Sequence, residues 1–172
     1  MSSIKKEKVQ TRISLPTNLT PEQRELAGKK IVQLVKERTK HGVSAKSKPF
    51  PKYSKEYKES LDFKIAGKSS TVNLSQTGDM IADLDMLQHG RGYVLIGYSM
   101  DYEDIGKVHG NVTGEYGQEF STGKKRDFIG LPERLVRVIV EEAKNELPTL
   151  QEEKESIIGN ILSRFNGNNS GE

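Results

Sequence analysis

The residues in this chain most able to bind a metal or move a proton are three histidines, His41, His89 and His109, and an acidic trio, Asp79, Asp83 and Asp85. A metal site of histidines and carboxylates needs its ligands at helical or loop spacing, such as two histidines four apart. These histidines stand far apart in sequence, and each lies beside a glycine at an expected element end, so they read as loop residues. Asp79 and Asp83 share a helix face at i,i+4 while Asp85 does not, which suits a solvated face better than a ligand set. Gly90-Arg91-Gly92 precedes a strand, whereas a dinucleotide loop follows one and opens a helix. Gly123-Lys124-Lys125 lacks the earlier glycine and the following Ser/Thr of a phosphate loop. No nucleophile stands beside a base. Cysteine is absent, so disulfides and thiolate sites are excluded. The expectation is no catalytic, metal or cofactor residue, and no enzyme.

The cationic residues are more informative. Lys46, Lys48, Lys52, Lys55 and Lys58 are interleaved with Phe50, Tyr53 and Tyr57, and Pro49 and Pro51 forbid regular helix around Phe50. Basic-aromatic interleaving of this kind can bind single-stranded nucleic acid through stacking and phosphate contact. The plainer reading is an extended arm whose aromatics dock on the body while its lysines face water. A second basic stretch, Lys124-Lys125-Arg126, runs through Asp127 into Phe128-Ile129-Gly130-Leu131-Pro132 and reads as a basic strand entering a helix. Candidate interface or channel residues are therefore Lys46, Lys48, Lys52, Tyr53, Lys55, Tyr57, Lys124, Lys125 and Arg126. Phe128, Ile129 and Leu131 are the expected structural anchors, packed under the helix that follows.

These residues need elements to hold them. Thr20-Pro21-Glu22-Gln23 is a helix start, with a capping threonine, proline in the first turn and Gln23 completing a capping box. Leu26, Ala27, Ile31, Leu34 and Val35 form one face, and Gly42 supplies a left-handed stop, giving a helix over 20–41. Phe63-Lys64-Ile65 and Thr71-Val72-Asn73-Leu74 alternate like short strands. A helix is expected from Ser75 or Thr77 to about Leu87, ended by His89-Gly90-Arg91-Gly92. Tyr93 to Tyr98 is the clearest strand, apolar and bounded by glycine. Ser99 to Gly106 reads as an acidic loop, Lys107-Val108-His109 as a short piece, and Gly110 to Gly123 as a flexible segment. A helix from Pro132 to Leu147 is stopped by Pro148, and Thr149 caps a last helix carrying Leu150, Ile157, Ile158, Ile161, Leu162 and Phe165. The division is an N-terminal arm over 1–19, in which Val9, Ile13 and Leu15 could make a brief extended segment, a body over 20–147 with a basic loop at 43–60, a C-terminal helix over 148–165 and a disordered tail over 166–172. The fold class is α+β: a small β-sheet packed with an N-terminal helix, a central helix and C-terminal helices, with extended arms and loops.

With 172 residues there is enough chain for one domain, yet only 33% is apolar against 30% charged, so the core is thin. No window approaches the roughly twenty apolar residues of a membrane span. The N-terminus has no apolar stretch of the secretory kind, which makes a cytosolic protein the expectation. The net charge of +3 conceals an asymmetry: twelve Lys/Arg against four acids between Lys29 and Lys68, and seven acids against four bases between Glu133 and Glu155. Opposed regional charge can steer subunits together or draw a polyanion to one face.

Four segments occur in an order that resembles the tail-completion and virion-morphogenesis proteins of long-tailed bacteriophages. Leu74-Ser75-Gln76-Thr77-Gly78-Asp79-Met80 is similar to that family's L-x-x-T-G-x-M/L segment. Tyr93 to Tyr98 occupies the place of its strand. Lys107-Val108-His109-Gly110 is similar to its H-x-x-G segment, with glycine directly after histidine. Arg126-Asp127-Phe128-Ile129-Gly130-Leu131 resembles its R-x-F-x-G-L segment. The inserted acidic loop at Asp101 to Asp104 and the helix beyond Pro148 depart from the pattern. The resemblance implies a non-enzymatic structural virion protein. It would form a homo-oligomeric ring, a hexamer or a dodecamer, at the neck or the head-proximal end of the tail. Its expected partners are other phage neck and tail proteins and double-stranded DNA passing transiently through the channel, with no membrane. Its place would be the virion, and the host cytoplasm during assembly. The alternative expectation is a nucleic-acid-binding module using 46–58 and Lys124 to Arg126.

Overall fold

Val94 and Ile96 are fully buried and flank a half-buried Leu95, the alternation of a strand with one face in a core. In a computed structural model that describes residues 6–65, 67, 71, 72, 74, 79–115, 123–149, 155–158 and 160, these residues lie in the central strand of a three-stranded antiparallel sheet. The chain runs α1 (Lys6–Val9), β1 (Gln10–Ser14), α2 (Pro21–Lys40), α3 (Lys55–Glu59), α4 (Leu61–Ile65), α5 (Asp79–Ala82), β2 (Asp85–Gly90), β3 (Tyr93–Gly97), α6 (Ile105–Thr113) and α7 (Glu133–Glu146). The sheet order is β1-β3-β2, and the fold is α+β.

Helix α2 begins as its sequence dictates. The Thr20 hydroxyl accepts the Gln23 N–H at 3.2 Å, and Gln23 Oε1 accepts the Thr20 N–H at 2.9 Å. Its far end turns at Gly42, which has φ of +75°. Ala27, Ile31 and Val35 are buried, and α2 lies against β2 and β3. Gly28 permits the approach, because a Cβ there would stand 2.1 Å from Met86 Sδ. α7 packs beside α2 through Val136, Ile139, Val140 and Ala143, and Gln23 Nε2 donates to the Leu147 carbonyl at 2.7 Å. α7 starts one residue later than expected, at Glu133, with Pro132 as its cap residue.

Several expectations are corrected. Residues 6–19 are not a loose arm. Val9, Ile13, Leu15 and Leu19 are buried, and β1 pairs with β3 from Gln10↔Gly97 to Ser14↔Tyr93. Phe63-Lys64-Ile65 is helical within α4, started by the Ser60 hydroxyl, which accepts the Phe63 N–H at 3.2 Å. Thr71, Val72 and Leu74 belong to no strand, and Asn73 lies outside the described residues. The helix expected to reach Leu87 is α5 alone. Asp85 onward is β2, drawn into the sheet by pairing with β3; the start at Ser75 or Thr77 lies outside the described residues. The short piece at 107–109 belongs to α6, which continues through Gly110 and ends at Gly114, φ +80°. The segment at 124–131 is extended but unpaired in the sheet, so it is a strap and not a strand. Of the expected last helix, 155–158 is helical with Ile157 and Ile158 exposed. Leu150, Ile161, Leu162, Phe165 and the tail at 166–172 lie outside the described residues, as does most of the segment between Gly114 and Gly123.

Candidate interaction surface

The strap at 124–131 is tied down by single hydrogen bonds to three different parts of the fold. The Arg126 N–H donates to the Asn111 carbonyl at 2.7 Å, the Ala45 N–H to the Asp127 carbonyl at 2.8 Å, and Thr11 Oγ1 to the Ile129 carbonyl at 2.7 Å. Phe128 and Ile129 are buried, with 1% and 3% of their surface exposed, and Leu131 is half-buried against the core. Burial of these three side chains in and against the core ties the strap to the body. Phe128 meets the Tyr98 ring edge-on, centroids 6.4 Å apart.

Arg126 is a correction. It was expected at a subunit boundary or channel, but it is only 8% exposed, with its guanidinium carbon 5.6 Å from the Tyr53 ring centroid. Tyr53 and Tyr57 are likewise engaged inside the subunit. With Phe63 they form an aromatic cluster with centroid separations of 5.2 to 5.5 Å. Rings packed on one another in this way are poor stacking platforms for bases. Lys124 reaches back across the same cluster, its Nζ donating to the Lys52 carbonyl at 3.1 Å. Glu56 at the start of α3 is held below the usual carboxylate range. The first cause is its own backbone hydrogen bond, then the Ser54 hydroxyl, with Lys124 adding a smaller pull.

The remaining cations sort by place. Lys52 and Lys55 are exposed on the chain entering α3. Lys46, Lys48 and Lys125 line an open groove of about 1550 Å³ between the Val43–Phe50 loop, β1 and the strap. The loop is closed by a Val43↔Pro49 bridge and by the Phe50 N–H donating to the Gly42 carbonyl at 2.8 Å, with Phe50 buried beneath it. Lys8, Arg12 and Arg134 also line the groove, and sequence reading missed all three. They come from α1, β1 and α7, and although Lys8 closes a charged run, nothing local shows that the three share one groove. Glu115, Asp127 and Glu133 are its acids, leaving a basic balance.

The residues weighed for chemistry do not assemble. His41 caps α2, His89 lies in β2 and His109 is buried in α6. Among the described residues no group of three or more histidines and carboxylates could hold a metal ion. Asp83 and Asp85 are exposed, and Asp83 accepts the Tyr102 hydroxyl at 3.0 Å. No helix among the described residues is long and apolar enough to cross a membrane.

Around Tyr98 the quoted sequence segments meet. The Tyr98 hydroxyl donates to the Met80 carbonyl, and Asn111 Nδ2 lies 3.8 Å from Met80 Sδ. Asn111 follows directly on Lys107-Val108-His109-Gly110 and its carbonyl receives the Arg126 N–H, while Phe128 packs on Tyr98 itself. Compared with family models, with curated proteins and with solved structures, the chain matches none.

Proposed function

We propose that this chain is a structural virion protein of a long-tailed phage, a subunit of a ring at the neck or the head-proximal end of the tail. The observation that carries the reading is the convergence around Tyr98. Met80, Tyr98, Asn111, Arg126 and Phe128 belong to or adjoin the four segments that resemble the tail-completion family, and a chain of contacts links them: Phe128 to Tyr98, Tyr98 to Met80, Met80 to Asn111 and Asn111 to Arg126. The thin core and the open groove suit a subunit whose surface is completed by neighbours. Its role is architectural, around the DNA channel, and not enzymatic.

Native mass spectrometry and negative-stain microscopy of the purified chain, alone and with phage tail tubes, test the reading. Closed rings, or stoichiometric capping of tube ends, are expected. A strictly monomeric chain that ignores tubes and tail ends overturns it.

A nucleic-acid-binding module is the second reading, favoured by the basic balance of the groove. Neutralising several phosphates makes the binding constant fall by roughly one log unit per contact for each tenfold rise in salt. Fluorescence anisotropy with single- and double-stranded DNA at low salt decides it, and absence of binding removes it.

A further inference from the structure

Lys46, Lys48 and Lys125 line the groove, and among the described residues none of them forms an ion pair. The wall they face is β1, an outer strand of the sheet. The Leu15 N–H donates to the Gly92 carbonyl, and the Tyr98 N–H to the Val9 carbonyl. Bonds to β3 are therefore made by the odd-numbered residues, and Arg12 and Ser14 turn their backbone groups toward the open edge. The groove thus combines an excess of positive charge with backbone N–H groups that, among the described residues, have no strand beside them.

Exposed negative charge lies across the sheet, in excess of the Lys36 ammonium that donates to the neighbouring Ala82 carbonyl. Asp83 and Asp85 sit at the start of β2, the opposite outer strand, and both are exposed. The Tyr102 hydroxyl on Asp83 brings the exposed Asp101 and Glu103 to the same edge. The Asp101 carboxyl is held below its usual range, chiefly by the Ser99 hydroxyl and then by its own backbone, so it is ionised at neutral pH. Among the described residues none of these four acids meets a cation within ion-pair distance. The acids of α7, which sequence alone put forward as the negative surface, are already occupied. Lys30 takes Glu142 and Glu146 at 3.6 and 2.6 Å, Lys144 takes Glu141 at 2.9 Å, and Arg137 takes Glu133.

We propose that the basic groove beside β1 receives the acidic β2-side edge of a second copy of this chain. The proposal rests on the ring reading and names the contact that would build the ring. Two unlike surfaces on opposite edges of one sheet make a head-to-tail contact, which closes into a ring when the rotation between copies permits. Charge complementarity of this kind fixes register and speeds docking more than it adds affinity. The contact is therefore salt-sensitive.

Charge reversal tests it on the full chain. One variant carries Lys46→Glu, Lys48→Glu and Lys125→Glu, and the other carries Asp83→Lys, Asp85→Lys and Glu103→Lys. Each alone sets like charges against each other at every contact, and raises the concentration needed for assembly by about a hundredfold or more in sedimentation experiments. An equimolar mixture assembles again, because each variant's groove now matches the other's edge. Circular dichroism melts close to wild type show that both variants fold. Wild-type oligomers indifferent to both reversals, or a mixture that stays monomeric, overturn the groove pairing and leave the ring reading standing. A wild-type chain that is monomeric under every condition overturns both. If the wild-type chain binds duplex DNA and the lysine reversals abolish that binding while oligomers persist, the groove faces nucleic acid and the pairing is wrong.

Discussion

The guanidinium of Arg126 lies over the ring of Tyr53, 5.6 Å from its centroid, and its Nε is buried with no hydrogen-bond partner among the described residues. A cation in this position is held by a ring face and by its backbone link to Asn111, and no carboxylate forms an ion pair with it among the described residues. Replacing such a charge with an apolar side chain of similar length is commonly close to neutral, whereas burying the opposite charge is not. Arg126→Met is expected to stay within about 1 kcal/mol of wild type, and Arg126→Glu to cost about 3 kcal/mol or more. Urea unfolding of the two variants gives the comparison, and equal midpoints would contradict the buried placement.

Phe128 is the anchor of the strap. Its ring is 1% exposed and edge-on to Tyr98, so truncation opens a cavity where the strap crosses the core. Phe128→Ala should lower stability by about 3–5 kcal/mol. The half-buried Leu131 should cost clearly less on the same change. Thermal melts that place Leu131→Ala below Phe128→Ala would show that the strap is held from its other end.

Much of this was legible locally. The capping box of Thr20 and Gln23, the left-handed Gly42, the apolar run of β3 and the stop at Pro148 act on their immediate neighbours, so their spacing announces them. β2 was hidden because Met80, Ile81, Leu84 and Leu87 fit a helical period. The structure buries the first three from α5 and the turn after it, and shifts the strand register between Met86 and Gln88, which spoils the alternation that marks a strand. The extended segment at Val9, Ile13 and Leu15 was legible, but its place in the sheet was not, because its partner strand is far along the chain and pairing cannot be read from five residues. Arg126 was misplaced because a run of three cations looks solvated, and the ring that covers one of them belongs to another element. The groove was half legible: Lys46, Lys48 and Lys125 stand in charged runs near one another or the strap, while Lys8, despite its own charged run, Arg12 and Arg134 reach the groove only through folding.

Tyr98 makes stability depend on alkaline pH. Burial, aided by the neighbouring Tyr102 and Asp83, pushes its phenol far above the ordinary value of 10.0. The folded state therefore holds this proton more tightly than the unfolded chain does. The associated stability is fully present below pH 10.0 and declines as pH rises past it. Absorbance at 295 nm should show one tyrosine that ionises only with unfolding, and Tyr98→Phe should remove that late phase. The same variant leaves the Met80 carbonyl without its donor and should cost about 1–2 kcal/mol at neutral pH.

Gly97 closes the β1–β3 ladder at a point with no room for a side chain. Its φ is +143°, and a Cβ would stand 2.3 Å from the Val9 carbonyl oxygen and 2.7 Å from Gln10 Cα. Both obstacles are backbone, so neither can swing aside. Gly97→Ala is expected to cost about 3 kcal/mol, combining overpacking with a strained dihedral. Amide exchange should speed up first in Gln10–Ser14, and unchanged protection there would refute the account.

The pairing of β1 with β3 also sets an order of events during synthesis. β2 and β3 are neighbours joined by a tight turn and can close as soon as both have left the ribosome, but β1 emerges long before its partner strand. Until Tyr93–Gly97 appears, Val9, Ile13 and Leu15 have no sheet to cover them, and the nascent chain carries an uncovered apolar, strand-forming segment. Lys8 and Arg12, interleaved with those residues, give that waiting segment a like charge on every copy, which keeps crowded nascent chains from pairing with one another before each can complete its own sheet.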